Sequence, residues 1–502
     1  MTTPSFSRRR FLTTTTLGVA GYSLLPGCNK FRSQGSNSDI RVAIIGCDQS
    51  KSRVGGQGTF HLKRIANGEV TGARIVGVCD VDQDCLDAHK VFLSDLGVKA
   101  IYEKDYRKLL ESKEIDAVII ATPNHLHTLI TLTALAAGKH VYVEKPVSHN
   151  LMEGGLLVKA AAHYSKLILQ HGMQRRSDPG RLEMWDFFKT GELGKLKLSR
   201  GINFKKRESI GKTDGPQTPP ASLDYNLWCG PREVTPLRRK NVHYDWHWFW
   251  EYGNGDLGNQ GPHQLDVAIW GTGANSLPKG VMSIGGRLGY DDDGQTPNTQ
   301  IAVYDYDTVP VVFDNRGLPM KNLDFRGPEP VSLGGNRIGN IFEFENGYMA
   351  EGQILGKDGK PMRNMVGLAR SIHLNDGKAH VQNFIDSIKA GKQISDDLHI
   401  KHGHHAAGLA QLANISYRLG KKMAPDEIKE RVKQDAKAME LLEGIEKHLT
   451  DNKVDLKATP LTMGPWLKFD PAKEVFTGEV ADEANKLAAE DTYRKEFALP
   501  KF

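Results

Sequence analysis

Cysteine is scarce in this chain. Five occur in 502 residues, Cys28, Cys47, Cys79, Cys85 and Cys229, and no two stand in CxxC spacing. That argues against a zinc or dithiol motif and leaves the fold to packing rather than to a disulfide framework. Cys47 and Cys79 sit at strand ends, where small buried thiols are the plain reading. No run of about eighteen apolar residues occurs, so no membrane-spanning helix is expected in the mature chain. Charge of one sign is also missing. The net charge is +6, three arginines in the first 27 residues supply half of it, and the remainder carries +3. A body so nearly balanced gives little reason to expect nucleic-acid binding. No internal repeat is apparent, and no pair of carboxylates stands out as a glycosidase acid and nucleophile. The histidines His399, His402, His404 and His405 lack a carboxylate or cysteine spaced to complete a metal site, so no metal is expected.

What is present is a globular composition, 39% hydrophobic and 25% charged, in a length suited to two domains with extensions. The first residues read as an address: Ser7-Arg8-Arg9-Arg10-Phe11-Leu12, a weakly apolar stretch to Leu25, then Pro26-Gly27-Cys28. The order of arginine pair, Phe-Leu and apolar segment resembles a twin-arginine export signal. Leu24-Leu25-Pro26-Gly27-Cys28 resembles a lipobox, with Cys28 as a lipid-anchor candidate. The expected location is therefore periplasmic, as a soluble or membrane-anchored lipoprotein. Residues 1–38 form signal and tether, the polar Ser33–Ser38 stretch being flexible.

Residues 39–172 alternate strand and helix. Ile40–Ile45, Ala73–Val78, Asp116–Ala121, His140–Val143 and Leu167–Leu169 read as buried strands, with helices such as Thr59–Ala66, Asp105–Ser112 and His127–Ala137 between them. This predicts an N-terminal Rossmann doubly wound parallel sheet. After the first strand comes a glycine-rich loop with Gly46, Gly55, Gly56 and Gly58. Glycine there lets backbone N–H groups approach a pyrophosphate at a helix N-terminus. Asp80 ends the second strand, where a carboxylate binds ribose hydroxyls and repels a 2′-phosphate, favouring NAD over NADP. The loop is not a clean GxGxxG. The cofactor reading rests on strand, loop, helix, strand and acid together.

Thr122-Pro123-Asn124-His125-Leu126-His127, Glu144-Lys145-Pro146 and the run Gly253–Asp266 resemble the Gfo/Idh/MocA oxidoreductases over roughly residues 40–420. The resemblance implies a C-terminal α/β domain with an open, mostly antiparallel sheet over the active site. It implies that Lys145 lies beside the nicotinamide and exchanges a proton with a substrate hydroxyl, with Thr122, Pro123, Asn124 and His127 on the nicotinamide side and Glu144 helping to hold it. His125 reads as a cap or packing residue. The family's Asp-x-Gly-x-His is here Asn259-Gln260-Gly261-Pro262-His263. Asn259 orients a hydroxyl but cannot take a proton as a carboxylate does, which leaves Lys145 and His263 as acid/base candidates. Spacing i to i+4 puts Asn259 and His263 on one helical face, with Asp266 a turn later.

Residues 173–420 are expected to form the substrate and oligomerisation domain, with strands at Lys195–Phe204, Val281–Arg287, Thr299–Val303 and Ile341–Phe344 and helices at His380–Ala390 and His404–Leu419. Polar insertions at Lys205–Ala221 and Leu318–Gly339 read as loops. The aromatic stretch His243–Trp250, followed by Tyr252, is expected to divide between core and cleft, with Trp246 and His247 as substrate candidates. Arg175 and Asp266 are further substrate candidates. Residues 421–502 read as a charged helix at about Asp426–His448 and an irregular tail wrapping this or a neighbouring subunit. A homo-oligomer acting on a sugar or glycoside is the expected assembly. The expected reaction is hydride transfer between a sugar or polyol carbinol carbon and NAD(P). The alternatives are an NAD-dependent glycosidase working by transient oxidation and elimination, and a non-catalytic sugar-binding protein.

Overall fold

Runs rich in β-branched residues build the first sheet. The computed structural model describes residues 38–48, 56–320, 337–350, 353–364, 377–489 and 492–502. The leader, Cys28 and Gly55 lie outside these. β1 (Ile40–Ile45), β2 (Ala73–Cys79), β3 (Ile101–Glu103), β4 (Ala117–Ile120), β5 (His140–Val143) and β6 (Leu169–His171) pair in parallel in the order 3-2-1-4-5-6. This is the doubly wound arrangement, with its crevice at the carboxyl ends where the order reverses beside β1. β1 and β4 are buried on both faces because α1 (Gln57–Ala66) and its fellow helices cover the sheet. The register aligns Ile45 with Cys79 and Ile120, and Ile120 with Val143. Gly46, Asp80, Ala121 and Glu144 therefore emerge side by side along one edge.

Two expectations about this sheet change. The sixth strand begins two residues later than Leu167, because Leu167 N–H closes a turn onto the Tyr164 carbonyl. The three-residue β3 was not anticipated, being half-buried throughout.

The second sheet is mixed. Leu196–Asn203 lies at its centre, parallel to Val311–Arg316 and antiparallel to Ile338–Phe344. Thr299–Asp305 and Gly280–Gly286 continue one way in antiparallel pairs, and the hairpins Gly347–Ala350, Gln353–Gly356 and Pro361–Asn364 continue the other way. The helices Gly261–Thr272 and Ile400–Arg418 pack beneath it, bringing Leu265, Ile269, Leu409 and Ala413 onto Val281, Ala302 and Phe313. Ile400 and Ala407 reach the core of the first sheet, so one helix joins both. The helix Lys378–Ala390 also returns to the first sheet, burying Val381, Phe384 and Ile385.

The tail differs from expectation. Among the described residues it holds three α-helices, Pro425–Val432, Ala436–Asp451 and Ala481–Ala488, with Asp435 capping the second through Lys437 and Ala438 N–H. Its remainder is not irregular: Leu461–Met463 and Leu467–Asp470 both pair with Gly280–Gly286 and extend the sheet. Ile428, Leu441, Leu442 and Ile445 cover the outer sheet face over Met282, Ile284 and Val303. The tail thus wraps its own second domain, and its end returns to the first, where Phe497 joins the first sheet's core.

Candidate active site

The carboxyl edge of the first sheet opens onto a cavity of about 460 Å³, lined by Gly46, Gly56, Asp80, Thr122, Pro123, Asn124, His127, Glu144, Lys145 and Asn259 from the residues singled out above. Trp246 and His247 complete that set from the aromatic stretch.

The glycines make room. Gly46 sits at φ +88°, and a Cβ on it would lie 2.8 Å from the Ala121 carbonyl carbon and the Thr122 nitrogen. A Cβ on Gly58 would lie 1.8 Å from the Gly46 carbonyl oxygen, so α1 starts almost in contact with the loop. Gly56 is the N-cap of α1 and has no side-chain cap, leaving donors for an anion there. Asp80 accepts from Cys47 N–H at 2.7 Å and Asp82 N–H at 3.0 Å. Burial raises its carboxyl above the usual range, and the two N–H groups pull the other way. The Thr122 hydroxyl is buried and without a hydrogen-bond partner among the described residues. A glycine cradle, an acid at the second strand end and an orphan hydroxyl at the fourth fit a dinucleotide.

Lys145 follows β5 through a cis peptide to Pro146. Its Nζ donates to the Asn259 carbonyl at 2.8 Å and to Asn259 Oδ1 at 3.3 Å. Burial, with Arg207 and Lys205 nearby, pulls its ammonium down to about 8, against the opposing pull of Glu144 and Asp256. Glu144 accepts from His61 at 2.8 Å and from Lys145 N–H at 3.2 Å. Burial works against its charge, yet His61 and Lys145 hold it below the ordinary glutamate range. His127 braces the site, its Nδ1 2.6 Å from the Pro146 carbonyl and its Nε2 2.7 Å from the Thr122 carbonyl.

The expected single helical face of Asn259 and His263 is interrupted. Asn259 ends the helix Gly255–Asn259 and His263 lies in the first turn of Gly261–Thr272. Pro262 has no N–H to continue the ladder. His263 does not line the cavity wall. It is half-buried, and burial with the Lys145, Arg175 and Lys205 charges drives its imidazole well below 6.5. It stands neutral beside a cationic lysine.

Two proposed substrate contacts lie elsewhere. Asp266 is fully buried and held by the Arg176 guanidinium, Nη2 to Oδ1 at 2.8 Å, which makes it a structural ion pair rather than a substrate contact. Arg175 is absent from the cavity wall, and its charge lowers the His263 imidazole. His125 packs against Trp228 and Tyr252 and meets the Trp228 carbonyl at 2.9 Å.

The aromatic stretch divides. Trp248 and Tyr252 are buried away from the cavity, whereas His243, Tyr244, His247 and the equally buried Trp246 line its wall. His247 stacks on Trp246 with centroids 3.7 Å apart, and its Nδ1 meets the Tyr244 carbonyl at 2.6 Å. A carbonyl only accepts, so Nδ1 carries the proton and Nε2 is left as an acceptor. Burial first, then the Lys145 and Arg207 charges, lowers this imidazole to about 3.

Lys205, which lines the cavity, and Arg207 and Asp256, whose charges reach Lys145, had no expected site role, while Tyr244 belongs to the aromatic stretch expected to divide. The basic run Lys205-Lys206-Arg207 directly after a strand was the available signal. Nor did any local pattern mark how residues 222–243 lie over the end of the groove. Asp224 N–H donates to the Val81 carbonyl at 2.9 Å, Gln83 N–H to the Ser222 carbonyl at 3.0 Å, and His243 meets Asp82 at 3.0 Å. The end of β2 is thereby tied beneath residues 222–243. Among the described residues no group of three His, Cys, Asp or Glu side chains is arranged for a metal. His404 instead meets Glu474 at 2.9 Å.

Known proteins resemble this chain in sequence and in fold. Residues 40–172 match the Gfo/Idh/MocA oxidoreductase family, NAD-binding Rossmann fold, and residues 193–282 match the family's C-terminal alpha/beta domain. The two matches, in order along the chain, support the family resemblance and make the first domain an NAD-binding one. The chain is 30% identical over 169 residues to inositol 2-dehydrogenase of Salmonella typhimurium, covering 33% of this chain and 46% of that protein. It is 31% identical over 145 residues to inositol 2-dehydrogenase/D-chiro-inositol 3-dehydrogenase of Halalkalibacterium halodurans, covering 29% and 38%. The chain thus spans less than half the length of these curated relatives. Myo-inositol dehydrogenase from Lactobacillus casei, solved with NAD(H) and myo-inositol, superposes with a TM-score of 0.51 at 19% identity over 76% of this chain and 95% of that one. That likeness concerns the fold.

Proposed function

We propose that this chain is an NAD-dependent oxidoreductase that moves hydride between a carbinol carbon of a polyol or sugar and the nicotinamide. The observation that carries the reading is Lys145, its basicity lowered to about 8, at the carboxyl edge of an NAD-binding sheet. Gly46, Gly56, Asp80, Thr122 and Glu144 would hold the dinucleotide. When bound, NAD+ supplies the acceptor for the hydride leaving the carbinol carbon. In that direction the neutral amine of Lys145 takes the hydroxyl proton as the carbonyl forms; in reverse the ammonium returns it. Asn259 keeps the amine in place through two acceptors. Neutral His247 can accept at Nε2 from a further hydroxyl, and the ring of Trp246 suits a sugar C–H face. The curated inositol dehydrogenases support the polyol class.

A second reading is favoured by one observation, the tie of residues 222–243 over the end of β2. An enzyme that retains its cofactor suits a redox-neutral cycle. A glycoside would be oxidised transiently, lose its aglycone by elimination, gain water and recover its hydride. We also propose export by the twin-arginine route, with Cys28 as a lipid anchor. A reporter fused to residues 1–40 should leave the cytoplasm, and retention there contradicts export.

The separating experiment is to identify any co-purified nucleotide and to screen free polyols against aryl glycosides. Net NADH formation supports the dehydrogenase. Glycoside cleavage without net cofactor change supports the second reading. Tightly held NAD without turnover of either class contradicts both and supports a sugar-binding role.

A further inference from the structure

Arg207 ends the basic run Lys205-Lys206-Arg207 that follows the central strand Leu196–Asn203, and it is held from several sides. Its N–H donates to the Gly317 carbonyl at 2.8 Å, and its own carbonyl accepts from the Tyr290 hydroxyl. Its guanidinium forks onto Asp256, Nε at 3.0 Å and Nη2 at 2.6 Å from Oδ1, and the Asp256 side chain is fully buried. Nη1 donates to the Tyr244 hydroxyl at 2.9 Å, and the plane lies 5.4 Å from the Trp248 ring centre. A planar fork with a permanent charge makes this set of contacts, and an ammonium does not reproduce it.

The two partners of this fork lead directly to the cavity. Asp256 lies in the first turn of the five-residue helix whose last residue, Asn259, receives the Lys145 ammonium. Tyr244 carries the carbonyl that fixes the His247 tautomer. We propose that Arg207 is a positioning residue of this reaction: one guanidinium locks together the helix that receives Lys145 and the Tyr244–His247 wall, and sets a fixed positive charge beside the lysine. The proposal rests on the reading of Lys145 as the proton-transfer group.

Several charged or titratable groups face Lys145. Glu144 neighbours it on its own loop, and Asp256 stands behind Asn259. Lys205 and Arg207 come from the segment after the central strand. His127, His247 and His263 feel its charge from three other elements. Of these, Arg207 and Asp256 are paired with each other, so removing either one exposes the charge of the other. Loss of Arg207 leaves an uncompensated carboxylate and raises the lysine's proton affinity. Loss of Asp256 leaves an uncompensated guanidinium and lowers it. Opposite signs from two ends of one salt bridge are not expected from general loosening of the fold.

The test is pH-dependent labelling of Lys145 with an amine-reactive reagent, read by mass spectrometry on the full chain without substrate. Folding of each variant is checked by circular dichroism. In the wild type the labelling midpoint is expected near pH 8. Arg207→Gln should cut Lys145 labelling at that pH by roughly threefold or more, and Asp256→Asn should increase labelling below it. Arg207→Lys, which keeps the charge but not the fork, should leave the midpoint near wild type while kcat/KM falls by about tenfold. Unchanged midpoints in Arg207→Gln and Asp256→Asn, or shifts of the same sign, overturn the proposal. If Arg207→Gln does not fold, the Asp256→Asn shift alone decides. A Lys145→Ala enzyme with full turnover would sink the function reading without moving the labelling result, so the two failures are distinct.

Discussion

Lys145 has to accept a proton in one direction and give it back in the other, which demands a basicity near the working pH. Burial supplies most of the lowering, and Arg207 and Lys205 add to it. Below about pH 8 the group is charged and above it neutral, so polyol oxidation should rise with pH through about 8, and carbonyl reduction should fall over the same range. Initial rates in both directions check this. A profile flat in both would contradict the assignment. His263 and His247 are depressed far below the usual imidazole value. No ionisation near pH 6.5 should therefore appear in the profile, and His247→Ala, at the cavity wall, should lower kcat by about tenfold to a hundredfold without adding one. Asp80 accepts two backbone N–H groups at the end of β2. Asp80→Ala should weaken NAD binding by about tenfold and narrow the gap to NADP, read by calorimetry with each nucleotide.

At the scale of elements, the decisive contact is α1 against the loop after β1. Gly58→Ala forces a methyl into the Gly46 carbonyl. It should cost about 1–3 kcal/mol and displace the helix N-terminus from the pyrophosphate position. Thermal unfolding and NAD titration of the variant check both effects. This loop was legible in the sequence because a continuous β-branched run stops at a glycine and an acid ends the next strand. The break at Pro262 was written in the sequence too, but spacing alone suggested one helical face. β3 was not legible, since three half-buried residues carry no period. Nor were the short tail strands, whose partner, Gly280–Gly286, lies far back in the chain.

At the scale of the molecule, the second sheet is covered on its outer side by the chain's own tail. Removing residues 425–502 would expose the apolar face over Met282, Ile284 and Val303. Such a truncation should aggregate or fail to fold, because each large buried side chain contributes about 1.5–3 kcal/mol; sedimentation of the purified fragment would reveal it. The two-domain plan was readable from strand–helix alternation and from the later alternating strands. Pairings across long separations were not. Asp266 looked available as a substrate contact until Arg176, 90 residues away, was found to hold it. A separation of 49 residues likewise hid the pairing of Arg207 with Asp256, which sit in a loop and a helix with no shared local pattern.

The account depends on the Lys145 amine meeting the reacting carbinol beside bound NAD. The most direct measurement compares Lys145→Ala with wild type for turnover of the best polyol found and for NAD affinity by calorimetry. The account predicts a loss of kcat of about a hundredfold to ten-thousandfold with NAD affinity nearly unchanged. Wild-type turnover in the variant would contradict it.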